Sequence, residues 1–214
     1  MLKKLICLFI FGALIFSSTS RAEFSSDNIS LGFVGGFNIA NVAGHAEETK
    51  SKTGLCFGGY INYAQNRYLS YQLELILNGK GYKITDEPYY DTANDFRGYR
   101  DLTYTFTYIE IPVLTKLTFL GGEKASLFLA GGGFFGMILN SKIRVENAEL
   151  ALDLDMENAK GADLGYVIGG GLNLRAGESG WVFVETRYEA SFVGPIQGED
   201  QKSRIISVRF GYWF

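Results

Sequence analysis

The side chains that could do chemistry are few and unevenly placed. The chain has a single histidine, His45, standing beside Glu47 and Glu48. A histidine-based hydrolase or acyltransferase needs an imidazole within hydrogen-bond reach of a nucleophile and an acidic partner, so a catalytic reading rests on His45 alone. Two cysteines, Cys7 and Cys56, are too few with that histidine for a zinc cluster or a disulfide scaffold. Asp153, Asp155 and Glu157 alternate as calcium ligands can, but the positions an EF-hand loop reserves for Gly and for its final Glu hold Asn158 and Leu164. No metal and no cofactor is expected. The remaining charges that stand out are Glu74, Glu110, Lys116, Glu185, Arg187 and Arg209, because each falls in the middle of a run that is otherwise half apolar. Mixed signs inside such runs suit salt bridges in an enclosed space, since a lone charge facing lipid costs ~2–4 kcal/mol.

Those charges are positioned by alternation with period 2, the pattern of a strand with two different faces. Eight runs show it: 29–39, 54–64, 69–83, 102–119, 125–140, 163–174, 181–190 and 204–214. The third is the clearest, with Leu69, Tyr71, Leu73, Leu75 and Leu77 against Ser70, Gln72, Glu74, Asn78 and Lys80. The fourth conflicts with itself. Ile109, Ile111, Val113 and Leu117 oppose Glu110 and Lys116, yet Tyr104, Phe106 and Tyr108 fall on the polar side, so a bulge or a segment projecting beyond a membrane is expected there. Within this run Pro112 lacks a ladder donor and predicts a bulge or a locally unpaired site, while Glu110 and Lys116 share a phase and are expected to pair.

Connections alternate in length. Residues 40–53, 84–101, 141–162 and 191–203 are long and polar, whereas 65–68, 120–124 and 175–180 are short and carry Asn66, Gly121, Gly122 and Gly177 as turn formers. In the third long connection, Leu150, Leu152, Leu154 and Met156 oppose the acids and read as a strand extending outward. The whole pattern predicts an all-β, eight-stranded antiparallel up-and-down transmembrane β-barrel with short periplasmic turns, long external loops and both termini periplasmic. Glycine clusters at 35–36, 58–59, 131–133 and 169–171 suit the strong bending of a narrow barrel. Aromatics near the short turns (Tyr63, Tyr68, Tyr71, Phe119, Trp181, Tyr212 and Trp213) are expected to form a girdle at the lipid headgroups.

Residues 1–22 read as an address. Lys3 and Lys4 precede a twelve-residue apolar run, Leu5 to Phe16, and Ser20 and Ala22 supply the small residues of a cleavage site before Glu23. Twelve residues are too few to span a ~30 Å hydrocarbon core as a helix. Residues 1–22 are therefore expected to be a cleaved secretory signal and 23–214 the barrel domain. The 214 residues carry 20 basic and 23 acidic side chains, which leaves no basic footprint for nucleic acid.

Phe210, Tyr212 and Phe214 alternate along the last run and resemble the C-terminal signal read by the barrel assembly machinery of outer membranes. The stretch Phe37-Asn38-Ile39-Ala40-Asn41, the triplet Leu73-Glu74-Leu75, the segment Tyr108 to Lys116 and Thr186-Arg187-Tyr188 resemble the opening, PELLY, YLEIPVLLK and ARY motifs of the PorT-like outer membrane β-barrel domain family, with Gln72 where that family usually has Pro. The resemblance spans about residues 29–214 and implies a Gram-negative outer-membrane location. It does not imply an activity.

A small, non-catalytic outer-membrane barrel is therefore expected, monomeric, surrounded by lipid, and acting in a structural, adhesive or accessory role through an unidentified partner of its external loops. Two alternatives stay open from the residues. One is a barrel enzyme using His45. The other is a soluble lipocalin-like carrier, in which the apolar face would turn inward around an apolar ligand.

Overall fold

The computed structural model describes residues 28–44, 49–90, 95–119, 122–146, 151–156, 161–177, 180–193 and 202–214. Among these, nine strands form: β1 (Ile29–Ala43), β2 (Lys50–Ala64), β3 (Leu69–Tyr90), β4 (Phe96–Phe119), β5 (Ala125–Glu146), β6 (Ala151–Asp155), β7 (Ala162–Ala176), β8 (Gly180–Ser191) and β9 (Lys202–Trp213). Each barrel strand pairs antiparallel with its neighbours, and β9 returns to β1, so the sheet closes into a ring of eight. The ninth strand, β6, pairs only with the outer end of β5, as the Leu152/Leu154 alternation foresaw. Ile29 and Asp163 had placed the starts of the first and sixth runs within a residue of the observed strands.

Strand length separates wall from projection. β3, β4 and β5 have 22, 24 and 22 residues, against 12 for β8 and β9. At ~3.3 Å per residue, 22 residues reach ~70 Å, more than twice the ~30 Å of a hydrocarbon core even when tilted. Much of the expected connections 84–101 and 141–162 is thus hairpin continuing the wall. The long connections 40–53 and 191–203 are likewise shortened by β1, β2 and β9.

The conflict in the fourth run resolves without a break in β4. Leu102, Phe106, Tyr108, Glu110, Leu114 and Lys116 all face inward and are buried. Outward from Ile109 toward the tip the same strand shows Thr103, Thr105 and Thr107, so the polarity of the two faces exchanges where the strand projects. The irregularity lies on the neighbour: Thr107 pairs with Asn140 but Tyr108 with Ile138, leaving Leu139 as the extra residue of a β5 bulge. Pro112 causes no bulge. Pairing of β3 with β4 lapses between Leu73–Val113 and Ile76–Glu110 and resumes in the same register, while Pro112 stays paired with Phe134 on its other side. That is the locally unpaired site a missing N–H produces.

Faces sort by polarity in the membrane sense. Phe33, Phe37, Leu55, Phe57, Val113, Leu129, Ile168 and Ile206 are more than half exposed on the outer wall, whereas the charges are inside. A contiguous apolar belt of this size belongs against lipid. The inverted, lipocalin-like arrangement is overturned by that sorting.

Candidate functional site

Close strand approach sets the dimensions of the lumen. Four inward aromatic rings lie across the glycine directly opposite on the next strand: Tyr60 over Gly32, Phe128 over Gly171, Phe134 over Gly165 and Phe183 over Gly211. A β-carbon at Gly211 would stand 2.2 Å from the Phe183 ring, so the glycines are slots that let large rings fold flat against the wall. Bending, the reason the sequence suggested, is joined here by a packing reason.

The centre of the lumen is ionic. Arg187 donates to Glu74 at 2.8 and 2.6 Å and to Glu185 at 3.0 and 2.9 Å, so one guanidinium from β8 is gripped by a carboxylate across the barrel and one beside it. Arg209 on β9 reaches Glu74 at 3.5 Å and forms a close pair with Glu189. Gln72 donates to Glu74 at 2.5 Å, completing its coordination. Nearer the long loops, Lys80 pairs with Glu110 at 2.5 Å and with Asp163 at 3.3 Å. Asn78 links the two clusters by donating to Glu110 at 2.7 Å and to Glu189 at 3.3 Å, and it accepts from Asn38 at 2.6 Å. Every member is almost fully buried.

The structure thus brings Glu74, Glu185, Arg187 and Arg209 together and places Glu110 in the adjoining cluster. It does not bring Glu110 to Lys116. Those two residues share a phase but lie six positions apart along β4, and Lys80 on the paired strand is nearer. Lys116 has no ion-pair partner among the described residues. Its ammonium sits 3.8 Å from the centre of the Phe128 ring and 5.4 Å from that of Phe183, a cation–π contact on both. Lys80 on β3, Asp163 on β7 and Glu189 on β8 also face inward, and sequence reasoning did not select them. Their signal was the same phase that selected the others.

Two members of the expected girdle point inward. Trp181 and Trp213 are directly paired across β8 and β9 and stack at 5.5 Å with their planes 7° apart. Together with Tyr60, Asn62, Gln72, Lys116, Ser126 and Asn173 they line a cup of about 200 Å³ at the short-turn end. Phe119 and Tyr212 remain on the outer wall, and Tyr68 is exposed in the turn before β3. At the opposite end, Tyr82, Ile84, Leu102, Phe106 and Tyr108 close the lumen with an apolar cap. Above it a cavity of about 310 Å³ is lined by Lys52, Lys83, Arg144 and Glu146.

Phe210, Tyr212 and Phe214 face outward on the closing strand, where Phe214 and Leu31 exchange backbone hydrogen bonds of 3.1 and 3.3 Å. His45 and Ala22 lie outside the described residues, as do Asn158 and Glu157 of the acidic stretch. The first acid there has a plainer role: Asp153 accepts two hydrogen bonds from Arg144, at 2.6 and 3.1 Å, across the β5–β6 hairpin.

A closed antiparallel barrel with a lipid-facing belt and a charged, filled lumen defines a transmembrane β-barrel. The chain belongs to the outer membrane protein beta-barrel domain family, which it matches over residues 16–194. It is accordingly a small outer-membrane barrel of the Gram-negative envelope, in contact with lipid. Among solved structures, it is similar to Ail, the attachment invasion locus protein of Yersinia pestis (12% identity over 86% of this chain and 98% of that one, TM-score 0.42). It is also similar to the outer membrane protein OprG of Pseudomonas aeruginosa (11%, 86% and 95%, TM-score 0.48) and to Neisserial surface protein A (11%, 86% and 96%, TM-score 0.45). No curated protein sequence matches it.

Proposed function

We propose that the protein is a non-catalytic recognition barrel, monomeric, with its termini in the periplasm and its long hairpins outside the cell. The observation that carries this reading is the contrast between a filled lumen and a projecting hairpin built for contact. At the tip of β3–β4, Tyr90, Phe96 and Tyr99 are 55%, 53% and 61% exposed and pack edge to face at 5.9 and 5.3 Å. An Arg100–Glu87 ion pair of 2.9 Å holds the two arms together behind them. Rigid exposed aromatics flanked by arginine are the residues that anchor protein interfaces. The partner is a protein surface with an apolar pocket.

Several features complete the reading. Residues 1–22 act as a secretory signal cleaved after Ala22, and 23–214 form the domain. The outward row Phe210, Tyr212 and Phe214 on the closing strand serves as the docking signal for the barrel assembly machinery. The motif resemblance supports placing the chain in the PorT-like branch of its family.

The test is adhesion of bacteria displaying the protein to immobilised host and bacterial surface proteins, compared with a Tyr90→Ser/Phe96→Ser/Tyr99→Ser variant. Both forms are first matched for outer-membrane content by the mobility difference between boiled and unboiled samples. The reading expects binding above empty-vector cells that falls at least tenfold in the variant. Equal binding by the variant, or none by the wild type, overturns it.

A further inference from the structure

The cup at the short-turn end lies at the opposite pole from the recognition hairpin, and its lining is unlike that of the rest of the lumen. Elsewhere in the lumen the buried carboxylates are ion-paired, although Asn38 Oδ1 also lacks a hydrogen-bond partner. Here Tyr60 Oη, Asn62 Oδ1, Gln72 Oε1 and Asn173 Oδ1 are all buried without a hydrogen-bond partner. Three of these residues are at least nine-tenths buried: Tyr60 is 5% exposed, Gln72 5% and Asn173 4%. Native interiors rarely leave such atoms unsatisfied, and four around one cavity mark a place where something else supplies the partners.

Their chemistry specifies the partner. The orientation of the Gln72 amide is fixed, because its Nε2 donates to the acceptor-only carboxylate of Glu74 at 2.5 Å, and Asn173 Nδ2 donates to Ser126 Oγ at 3.0 Å. The free atoms of Asn62, Gln72 and Asn173 are carbonyl oxygens, which demand donors, and the Tyr60 hydroxyl can accept from the same ligand. Beside them Lys116, 8% exposed and without a carboxylate of its own, is a cation awaiting an anion. Arg67 lines the rim and no acid does, so the cup repels an ammonium group. Trp213 and Trp181 add flat apolar faces. The cavity is blind, because Tyr60, Phe128 and Phe183 pack together beneath it. A volume of about 200 Å³ corresponds to about seven waters at ~30 Å³ each, room for one ring but not for a chain.

We propose that this cup binds a small hydroxylated carboxylate of the sugar-acid class. Its carboxylate lies on Lys116, its hydroxyls donate to the amide oxygens of Asn62, Gln72 and Asn173, and its C–H face rests on the tryptophan pair. With the termini inside, the ligand is periplasmic. The site stands whether or not the external hairpin binds a protein, since no residue is shared.

The chain has two tryptophans, both in this cup, so its intrinsic tryptophan fluorescence reports on nothing else. The full barrel in lipid nanodiscs, with both ends open to solvent, is titrated at constant ionic strength with sodium glucuronate, glucose and sodium acetate. The expected result is a saturable fluorescence change with glucuronate at least tenfold tighter than with glucose, and none with acetate. Lys116→Gln should weaken glucuronate at least tenfold. Asn62→Asp, a change at a half-buried rim position that leaves Lys116 in place, should weaken it similarly by adding a negative charge. Absence of a saturable change, equal responses to glucuronate and glucose, a matching response to acetate, or retention of affinity in a variant with normal heat-modifiability each overturns the proposal.

Discussion

Glu74 is the residue on which most of the lumen converges, with Arg187, Arg209 and Gln72 all directed at one carboxylate. Removing one partner of a buried pair leaves the others charged and dry, so Glu74→Ala is expected to lower folding stability by ~3–5 kcal/mol. Equilibrium refolding into vesicles across a urea series would measure this. Exposed ionic contacts behave differently. The hydrogen bond from Arg144, and then its positive charge, hold the Asp153 carboxyl below its ordinary value. A depressed carboxyl stabilises above its unfolded pKa, ~3.9, and the contribution is lost as pH falls through the lower folded value. Backbone amides of β6 are therefore expected to stay equally protected from hydrogen exchange between pH 7 and 5 and to lose protection only in stronger acid. At this scale the sequence was informative about side but not about partner. Period 2 put Glu110 and Lys116 on the inner face, yet partner choice depends on distances across the ring, and there Lys80 wins. Trp181 and Trp213 were legible too. They share phase with Glu185, Arg187 and Arg209, but closeness to the short turns suggested lipid headgroups, and a barrel mouth lies at that same height.

Strands were legible wherever one face met lipid and the other the lumen, because alternation is strongest under that double constraint. It faded beyond the lipid, where Thr103, Thr105 and Thr107 face water and the ends of β3 and β4 resemble loops in composition. Register irregularities were less visible still. The β5 bulge at Leu139 leaves only a shift from inward Ile138 to inward Ser141, a signal easily attributed to the neighbouring strand. Glycine slots belong to this scale as well. In Gly211→Ala the new methyl meets both the Phe183 ring and the Phe33 carbonyl, so overpacking is expected to cost ~1–3 kcal/mol. Phe183→Leu in the same chain should restore part of that loss, which comparison of the single and double variants by urea midpoint would show.

For the molecule as a whole, the outward belt predicts its own test. Ile168, on β7 and 53% exposed, sits within the belt. Ile168→Arg there is expected to destabilise the inserted barrel by up to ~2–4 kcal/mol, and less if the residue lies near a headgroup region, while Lys52→Glu at the long-loop mouth should be nearly neutral. Temperature of heat-modification on unboiled gels would rank them. The lumen network has a further consequence, in time instead of energy. Its cross-barrel bonds join residues far apart in the chain: Glu74 and Arg187 are separated by 113 positions, Glu74 and Arg209 by 135, Asn78 and Glu189 by 111. None of them can form within a hairpin, and none rewards a sheet that is still open. A growing, unclosed sheet can pair Lys80 with Glu110 and Arg209 with Glu189, but it leaves Glu74 without its arginines and is held back until the last strand meets the first, after which the cross-barrel bonds arrive together. The barrel should accordingly fold slowly and unfold more slowly still, with forward and reverse denaturant curves that fail to overlay, and the lumen would act as a latch that engages only on the finished ring.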